Sequence, residues 1–382
     1  MTSGARTALY WDAASSEPLH PAARETYLAA LDQGYADPRR LHRPGRSARL
    51  LLDNARAVVA EALDVRADEV SFTASGTAAV HFGLLGLHRG VRGGGRIAHT
   101  AVEHSAVLHA AQWAGQGAAA DSSGETGEPF ELAVDGLGRV EVAPPPPGTS
   151  VLAVQAANHE VGTVQPVAAV AAVAGGVPVF TDACASAGRQ PLPDGWSAAA
   201  ASAHKWGGPA GVGVLLVRKG ARWRHPFPVD ERLDERVPGF ENVPAALAAA
   251  AALQAVVAER DEVGSRQRAL VDRLRAGLSV VPDVDVVGDP VDRLPHLLTF
   301  SCLYVDGESL VTELDKLGFG VASGSACTAS TLAPSHVLAA MGALTHGNVR
   351  LSLSRTTTED EVDAFLAALP GVVERLRAEV GH

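Results

Sequence analysis

Of the 32 lysine and arginine residues in this 382-residue chain, only three are lysines: Lys205, Lys219 and Lys316. A lysine that attacks a carbonyl to form a Schiff base must be neutral, fixed and partly desolvated. Lys219 lies in Arg218-Lys219-Gly220, at the wet end of an expected strand, and Lys316 lies on the polar side of an expected helix. Lys205 differs. A run of small residues, Ala198 to Ala203, leads into Ser202-Ala203-His204-Lys205-Trp206, and a glycine-rich turn and an apolar strand to Val217 follow. An arbitrary lysine belongs on the surface, but these neighbours place Lys205 in a narrow turn between buried strands. A second reactive type is Cys327, set in Ser323-Gly324-Ser325-Ala326-Cys327-Thr328. That composition is a loop, where a thiol can meet solvent and a base; a cysteine in a strand would be a small inert hydrophobe. Cys184 and Cys302 fall in or beside expected strands and read as core residues, with Cys184 close enough to Asp182 to line a site.

The elements that must position these groups follow from periodicity. Val70 to Thr73 reads as a strand, and Ala74-Ser75-Gly76-Thr77 as a turn opening a helix. Such a turn aims free backbone N–H groups and a helix dipole at an anion, although Ser-Gly-Thr serves equally as a plain helix cap. Arg96 to His99 is the next strand, and His104 starts the helix after it, either exposed or stacked on a flat ring. Val151 to Gln155 is a buried strand whose loop begins at Asn158. Val177 to Thr181 ends in Asp182, which is either salt-bridged or a counter-charge for a cationic ligand nitrogen, because an unpaired buried carboxylate is costly. Strands and helices alternate from about residue 65 to 220, which predicts a mostly parallel sheet with helices on both faces and ligands at its strand ends. Thr77, Asn158, Asp182 and Lys205 all fall at such ends.

Past residue 245 the alternation stops. An Ala-rich helix from Val243 to Val263 leads to strands Val284 to Val287 and Leu297 to Ser301. A helix from Glu308 to Leu317, a strand Phe319 to Ala322 and a strand Asn348 to Ser352 follow, and Thr358 to Glu361 forms a capping box. This predicts a smaller α+β domain. The expected division is a large domain over 15–245 and a small one formed by 1–14 with 246–382, which carries the Cys327 loop. The net charge of −11 argues against nucleic acid as a partner. No charged-then-apolar leader and no apolar run near 18 residues is evident, so neither a secretion signal nor a membrane span is expected. The three cysteines form no CxxC pair and no zinc spacing, so no metal site is expected and a reducing cytoplasm is the natural compartment.

In chain order, Asp12-Ala13-Ala14-Ser15, Phe72-Thr73-Ala74-Ser75-Gly76-Thr77, Glu103-His104-Ser105-Ala106-Val107-Leu108, Asn158-His159-Glu160-Val161-Gly162, Asp182-Ala183, Ser202-Ala203-His204-Lys205, Ser323-Gly324-Ser325-Ala326-Cys327-Thr328 and Val349-Arg350-Leu351-Ser352 resemble the cysteine desulfurases of the class V aminotransferase family. The resemblance implies a fold-type I α/β enzyme whose large domain binds pyridoxal 5'-phosphate. It implies that Lys205 holds the cofactor and moves protons, His104 stacks on its ring, and Asp182 pairs with its pyridinium nitrogen so that the ring acts as an electron sink. It further implies that Gly76, Thr77, Ser202 and His204 hold the phosphate, that Arg350 clamps the substrate carboxylate with Asn158 assisting, and that Cys327 takes the sulfur of L-cysteine as a persulfide, leaving L-alanine. A homodimer and a sulfur-acceptor protein are the implied partners. The longer Cys327 loop resembles the housekeeping-type subgroup. A carbon–sulfur lyase or aminotransferase of the same family is the alternative, with Cys327 a bystander. Two positions depart from the family pattern. Ala185 stands where members usually have a Gln bonded to the cofactor's phenolic oxygen, and Phe240 stands in place of a Thr that reaches the partner subunit's phosphate.

Overall fold

The computed structural model describes residues 8–33, 35–118, 127–230, 234–323 and 334–381. The chain enters as a short strand β1 (Leu9–Tyr10), followed by helices α1 (Pro21–Gln33) and α2 (Arg43–Ala62). Sequence periodicity places the start of α2 near Ser47. It begins four residues earlier because Pro44 is tolerated in a first turn, where no intrahelical N–H bond is lost, and the His42 side chain accepts from the Gly45 N–H at 3.1 Å.

The large sheet is then laid down by β2 (Val70–Thr73), β3 (Arg96–Thr100), β4 (Phe130–Leu132), β5 (Thr149–Ala153), β6 (Val179–Asp182), β7 (Ala198–Ser202) and β8 (Gly213–Val217). Interleaved with them run α3 (Gly76–Gly90), α4 (Ser105–Ala118) and α5 (Val167–Val173). The strand order is β2-β8-β7-β6-β5-β3-β4. From β7 to β4 all pairings are parallel, while β8 runs antiparallel to both β7 and β2. The sheet is therefore mixed but mostly parallel. β4 leaves no periodic sign in the sequence, being three residues that follow a polar stretch. The register opposes Gly213 to both Ser202 and Thr73, so the carboxyl ends of β2 and β7 meet at one edge with the start of β8. The carboxyl ends of β6, β5 and β3 lie on that same edge through the parallel pairings.

The alanine run in β7 has a packing reason. Successive strand residues face opposite sides of a sheet. Ala199 and Ala201 pack in a core with α2, while Ala198 and Ala200 pack in a core with α3 and α4. Small side chains let helices approach both faces of the strand that precedes Lys205.

Helix α6 (Val243–Leu278) is a single 36-residue element that runs on past the Val243 to Val263 stretch expected from the sequence. The expectation of no apolar run near membrane length needs correction: by length and composition alone α6 qualifies as a span. Its packing assigns the apolar character to a core instead. Ala245, Ala248, Ala249, Ala252 and Leu253 are buried with residues of α2 and with Trp206, whose indole N–H donates to the Ala249 carbonyl at 3.0 Å.

The remaining elements are β9 (Val284–Val287), β10 (Leu297–Cys302), α7 (Gly307–Lys316), β11 (Phe319–Gly320), β12 (Ala322–Ser323), α8 (His336–Ala340), β13 (Asn348–Ser352) and α9 (Glu359–Glu379). The expected single strand Phe319 to Ala322 is split: β11 pairs with β1, and β12 joins an antiparallel sheet of order β12-β13-β10-β9. A second core gathers Trp11 with residues of α6, β10, β13 and α9, including Val271, Phe300, Leu351 and Phe365. The α9 capping box forms on both sides, with Thr358 N–H donating to Glu361 at 3.0 Å and Glu361 N–H returning to Thr358 Oγ1 at 3.4 Å.

Candidate active site

At the carboxyl edge of the large sheet lies a cavity of about 230 Å³. Its lining includes Gly76, Thr77, His104, Asp182, Ser202, His204 and Lys205, drawn together from widely separated parts of the chain. One wall is the start of α3. Ser75 caps it, its Oγ accepting from the Ala78 N–H at 3.0 Å. Gly76 touches the end of β7 so closely that a Cβ there would sit 2.6 Å from the Ser202 Cβ. Only glycine permits that contact, which sets the Ser202 hydroxyl beside free N–H groups of the helix start. Ser202 Oγ is 3.1 Å from His204 Nδ1. Burial and then the nearby Lys205 charge push the His204 pKa down, so its ring stays neutral near pH 7. A helix start, two hydroxyls and an imidazole form an anion cradle.

Lys205 sits in a one-turn 3₁₀ segment, Ala203–Trp206, stopped by Gly207 at φ +80. The N-terminal segment locks this turn. Glu17 N–H donates to the His204 carbonyl at 2.9 Å, and His20 N–H donates to the Gly207 carbonyl at 2.8 Å. Arg189 bridges them, donating to Glu17 at 2.7 Å and to the Lys205 carbonyl at 3.2 Å. The Lys205 ammonium donates to the Ala14 carbonyl.

Asp182 ends β6, nearly buried, and its Oδ1 accepts from the Cys184 N–H at 2.8 Å. Burial, then the Asp182 charge, push the Cys184 thiol well above its ordinary pKa. Cys184 thus lines the cavity as a protonated thiol, which is a poor nucleophile. Cys302 is buried in the second core and pushed up to about 11. Neither supplies a thiolate. Cys327 lies outside the described residues, within 324–333.

His104 Nδ1 accepts from the Ala106 N–H at 3.1 Å, which leaves its ring proton on Nε2. Burial lowers its pKa, with Lys205 adding to the effect and Asp182 opposing it. Its ring meets that of His159 edge-on, centroids 5.0 Å apart.

Two predicted substrate residues are placed differently. Asn158 is fully buried and does not line the cavity. Its Oδ1 accepts from the Glu160 and Val161 N–H groups at 2.8 Å each, and its Nδ2 donates to the Val102 carbonyl at 3.0 Å. It ties the loop after β5 to the loop after β3. Arg350, on β13, is buried with most of its fork engaged: it donates to the His159 carbonyl at 3.1 Å, to Asp12 at 2.8 Å and to Ser15 Oγ at 2.6 Å. Its Nε has no partner among the described residues.

Sequence reasoning singles out neither Glu103 nor His159, though both sit inside quoted motifs. Glu103 is completely buried. Its Oε1 accepts from Thr100 Oγ1 and the Gln155 N–H at 2.8 Å each, and Oε2 has no partner among the described residues. Burial raises its pKa to about 8, with the Asp182 charge contributing upward and the two hydrogen bonds opposing. His159 and Ala185 line the cavity.

A model of the class-V aminotransferase family matches residues 9–365. The chain is 37% identical over 387 aligned positions to an IscS-like cysteine desulfurase of Mycobacterium tuberculosis, covering 96% of this chain and 97% of that protein. It is 30% identical to the cysteine desulfurase IscS of Methanosarcina thermophila, covering 97% and 93%. Among solved structures, a NifS-like protein superposes with a TM-score of 0.85 at 27% identity, covering 97% of this chain and all of that one.

Family members are pyridoxal phosphate-dependent, and the residues here fit that group. An anion cradle, a buried carboxylate for a protonated ring nitrogen, an imidazole for a flat ring and an enclosed amine share one cavity. Match, fold and cavity agree, and the chain belongs to the class-V aminotransferase family.

Proposed function

We propose that this chain is a pyridoxal phosphate-dependent cysteine desulfurase. The observation that carries the reading is the convergence of Lys205, Asp182 and His104 on one cavity whose far wall is an anion cradle, in a chain with near full-length desulfurase relatives. When bound, the cofactor supplies an electron sink that weakens bonds at the α and β carbons of an amino acid. The chain's own residues do the rest. Lys205 Nζ is the amine that holds the cofactor and carries protons to and from the substrate carbons. Asp182 keeps the ring nitrogen protonated, the α3 start with Ser202 and His204 anchors the phosphate, and His104 covers the ring. Arg350 takes the substrate carboxylate, exchanging a contact now made by Asp12. Cys327 attacks the substrate sulfur. The C–S bond of L-cysteine breaks, an S–S bond forms on Cys327, and the thiol proton and a solvent-exchanged proton balance L-alanine and the persulfide.

The persulfide passes to an acceptor protein. Exposed Leu28, Leu41, Leu50 and Phe240, on and beside α1 and α2, support a homodimer, because apolar surface of this kind marks interfaces. Unpaired Cys184 and Cys302 accord with a reducing, cytoplasmic setting. The chain divides into a body over 15–245 and a body of 1–14 with 246–382. The deciding experiment is to load the chain with pyridoxal phosphate and L-cysteine and measure alanine and persulfide. Equimolar alanine and transferable sulfur are expected. Pyruvate and free sulfide in place of alanine would substitute a lyase.

A further inference from the structure

Among the described residues, one side chain that lines the cavity is buried with both of its polar atoms unpaired. His159 is 8% exposed and lines the cavity, and neither of its ring nitrogens has a hydrogen-bond partner among the described residues. Its neighbours are not in that position. His104 Nδ1 accepts from the Ala106 N–H, His336 Nε2 is 2.9 Å from the Glu103 carbonyl oxygen, and Glu160 accepts from Ser335 Oγ at 2.5 Å. The Glu160 carboxylate approaches His159 Nε2 only to 3.7 Å, beyond a hydrogen bond. Buried polar groups are paired in folded proteins, and an enclosed, unpaired imidazole is costly. We propose that His159 is a ligand-binding residue of this site, donating a ring N–H to an anionic oxygen of the bound ligand.

The proposal rests on the pyridoxal phosphate reading above and deepens it. The electrostatics suit an anion. His104, Arg350, Lys205 and His336 face His159 from four elements; burial and then these groups hold its pKa well below the ordinary value. A neutral imidazole carries one N–H donor, and the nearby Arg350 and Lys205 charges favour an acceptor with negative charge. Two oxygens have that chemistry. One is the cofactor's phenolic oxygen, for which Ala185 in the same cavity has no polar group. The other is the substrate carboxylate, since Arg350 donates to the carbonyl of His159 itself.

The test compares wild type, His159→Leu and His159→Asn, each without cofactor, with pyridoxal phosphate, and with pyridoxal phosphate plus L-alanine as a non-desulfurated probe. Leucine removes two unpaired nitrogens from an enclosed site, so without cofactor this variant melts at or above the wild-type temperature. It then binds either pyridoxal phosphate or L-alanine about tenfold or more weakly, the usual scale for one lost hydrogen bond to a charged group. Asparagine, which keeps a donor, recovers most of that loss. Weaker cofactor binding identifies the phenolic oxygen. It comes with a raised pH midpoint of the visible absorbance, because losing a donor to that oxygen strengthens its hold on the neighbouring proton. Intact cofactor binding with weak L-alanine binding identifies the carboxylate. A leucine variant that binds both probes like wild type overturns the proposal. So does one that merely melts lower with affinities unchanged. Wild-type protein keeps the test decisive if leucine prevents folding: the His159 ring signals in ¹⁵N NMR, assigned by their loss in His159→Asn, must move when either probe is added, and signals that stay put refute the assignment. A wild type that takes up no pyridoxal phosphate fails the underlying function. One that makes alanine while the leucine variant binds normally fails His159 alone.

Discussion

The two walls of the cavity are built on opposite plans. On the sheet wall, Gly76, Asp182, Ser202 and Lys205 sit at or just past the ends of strands or at the start of a helix, and all four line the cavity. The loop wall faces the cavity through Ala157 and His159, and behind it Asn158, Glu160, Arg350 and Asp12 are held by backbone groups, by Ser15 and Ser335, and by the Arg350–Asp12 pair. A strand end fixes a residue without using its side chain. An irregular loop must use side chains to hold itself, because buried backbone groups need partners. The sheet wall therefore carries most of the groups that do chemistry, and the residues behind the loop wall mainly set its shape.

That difference predicts graded losses. Lys205→Ala should abolish alanine formation from cysteine, leaving at most background turnover. The protein should still fold, because Glu17, His20 and Arg189 hold the turn through backbone carbonyls in addition to the Lys205–Ala14 contact that is lost. Near wild-type rates would remove Lys205 from the chemistry. Cys327→Ser should also stop alanine and persulfide release, but should leave cofactor uptake intact, since Cys184 and Cys302 are held as thiols and cannot replace it. Retained turnover would make Cys327 a bystander and favour the lyase or aminotransferase reading. Asp182→Asn, which keeps the Cys184 N–H contact but not the charge, should cost about 10²-fold or more in turnover. Unchanged activity would make Asp182 a structural residue only.

On the loop wall smaller effects are expected. Arg350 already donates to Asp12, so a substrate carboxylate has to compete for that contact. Asp12→Asn should weaken the pair and change the KM for cysteine by about tenfold, with kcat less affected. Arg350→Lys should raise KM, because an ammonium cannot reproduce the planar fork. An Asp12→Asn enzyme with an unaltered KM would mean that the pair does not guard the carboxylate site.

The same contrast explains what the sequence discloses. Lys205 stands out by elimination, and Asp182 and the Gly76 turn by lying where strand patterns stop, since periodicity reports strand ends directly. Asn158 falls in the right loop with the wrong task. Its partner is the Val102 carbonyl, 56 residues away, and only folding shows that its donors and acceptors are taken. Arg350 carries the same lesson: Asp12 and Ser15 lie 338 and 335 positions upstream. His159, one residue from Asn158, escapes notice because a lone histidine beside an acid looks satisfied in a linear reading. The break of Phe319 to Ser323 between two sheets leaves no periodic trace, because Val321 turns the strand without a proline to mark it.

The smallest effect on turnover is expected at Glu103, whose buried position nonetheless makes it the strongest pH probe. Burial lifts its pKa from 4.5 to about 8 in the folded chain. A carboxyl raised on folding is more easily ionised when unfolded, so the unfolded state releases the proton first as pH rises. The sign follows: stability from the neutral acid is complete below about 4.5, declines as pH climbs from there to about 8, and is flat above. The full span corresponds to on the order of 5 kcal/mol. Glu103→Gln cannot ionise, and its amide oxygen can still accept from Thr100 and the Gln155 N–H. The cofactor-free variant should match wild type near pH 4.5 and exceed it in chemical-denaturation stability at pH 8, while alanine formation changes only a few-fold. Parallel stability profiles for variant and wild type across that interval would show that Glu103 ionises with its ordinary pKa, and that its surroundings are better solvated than its packing implies.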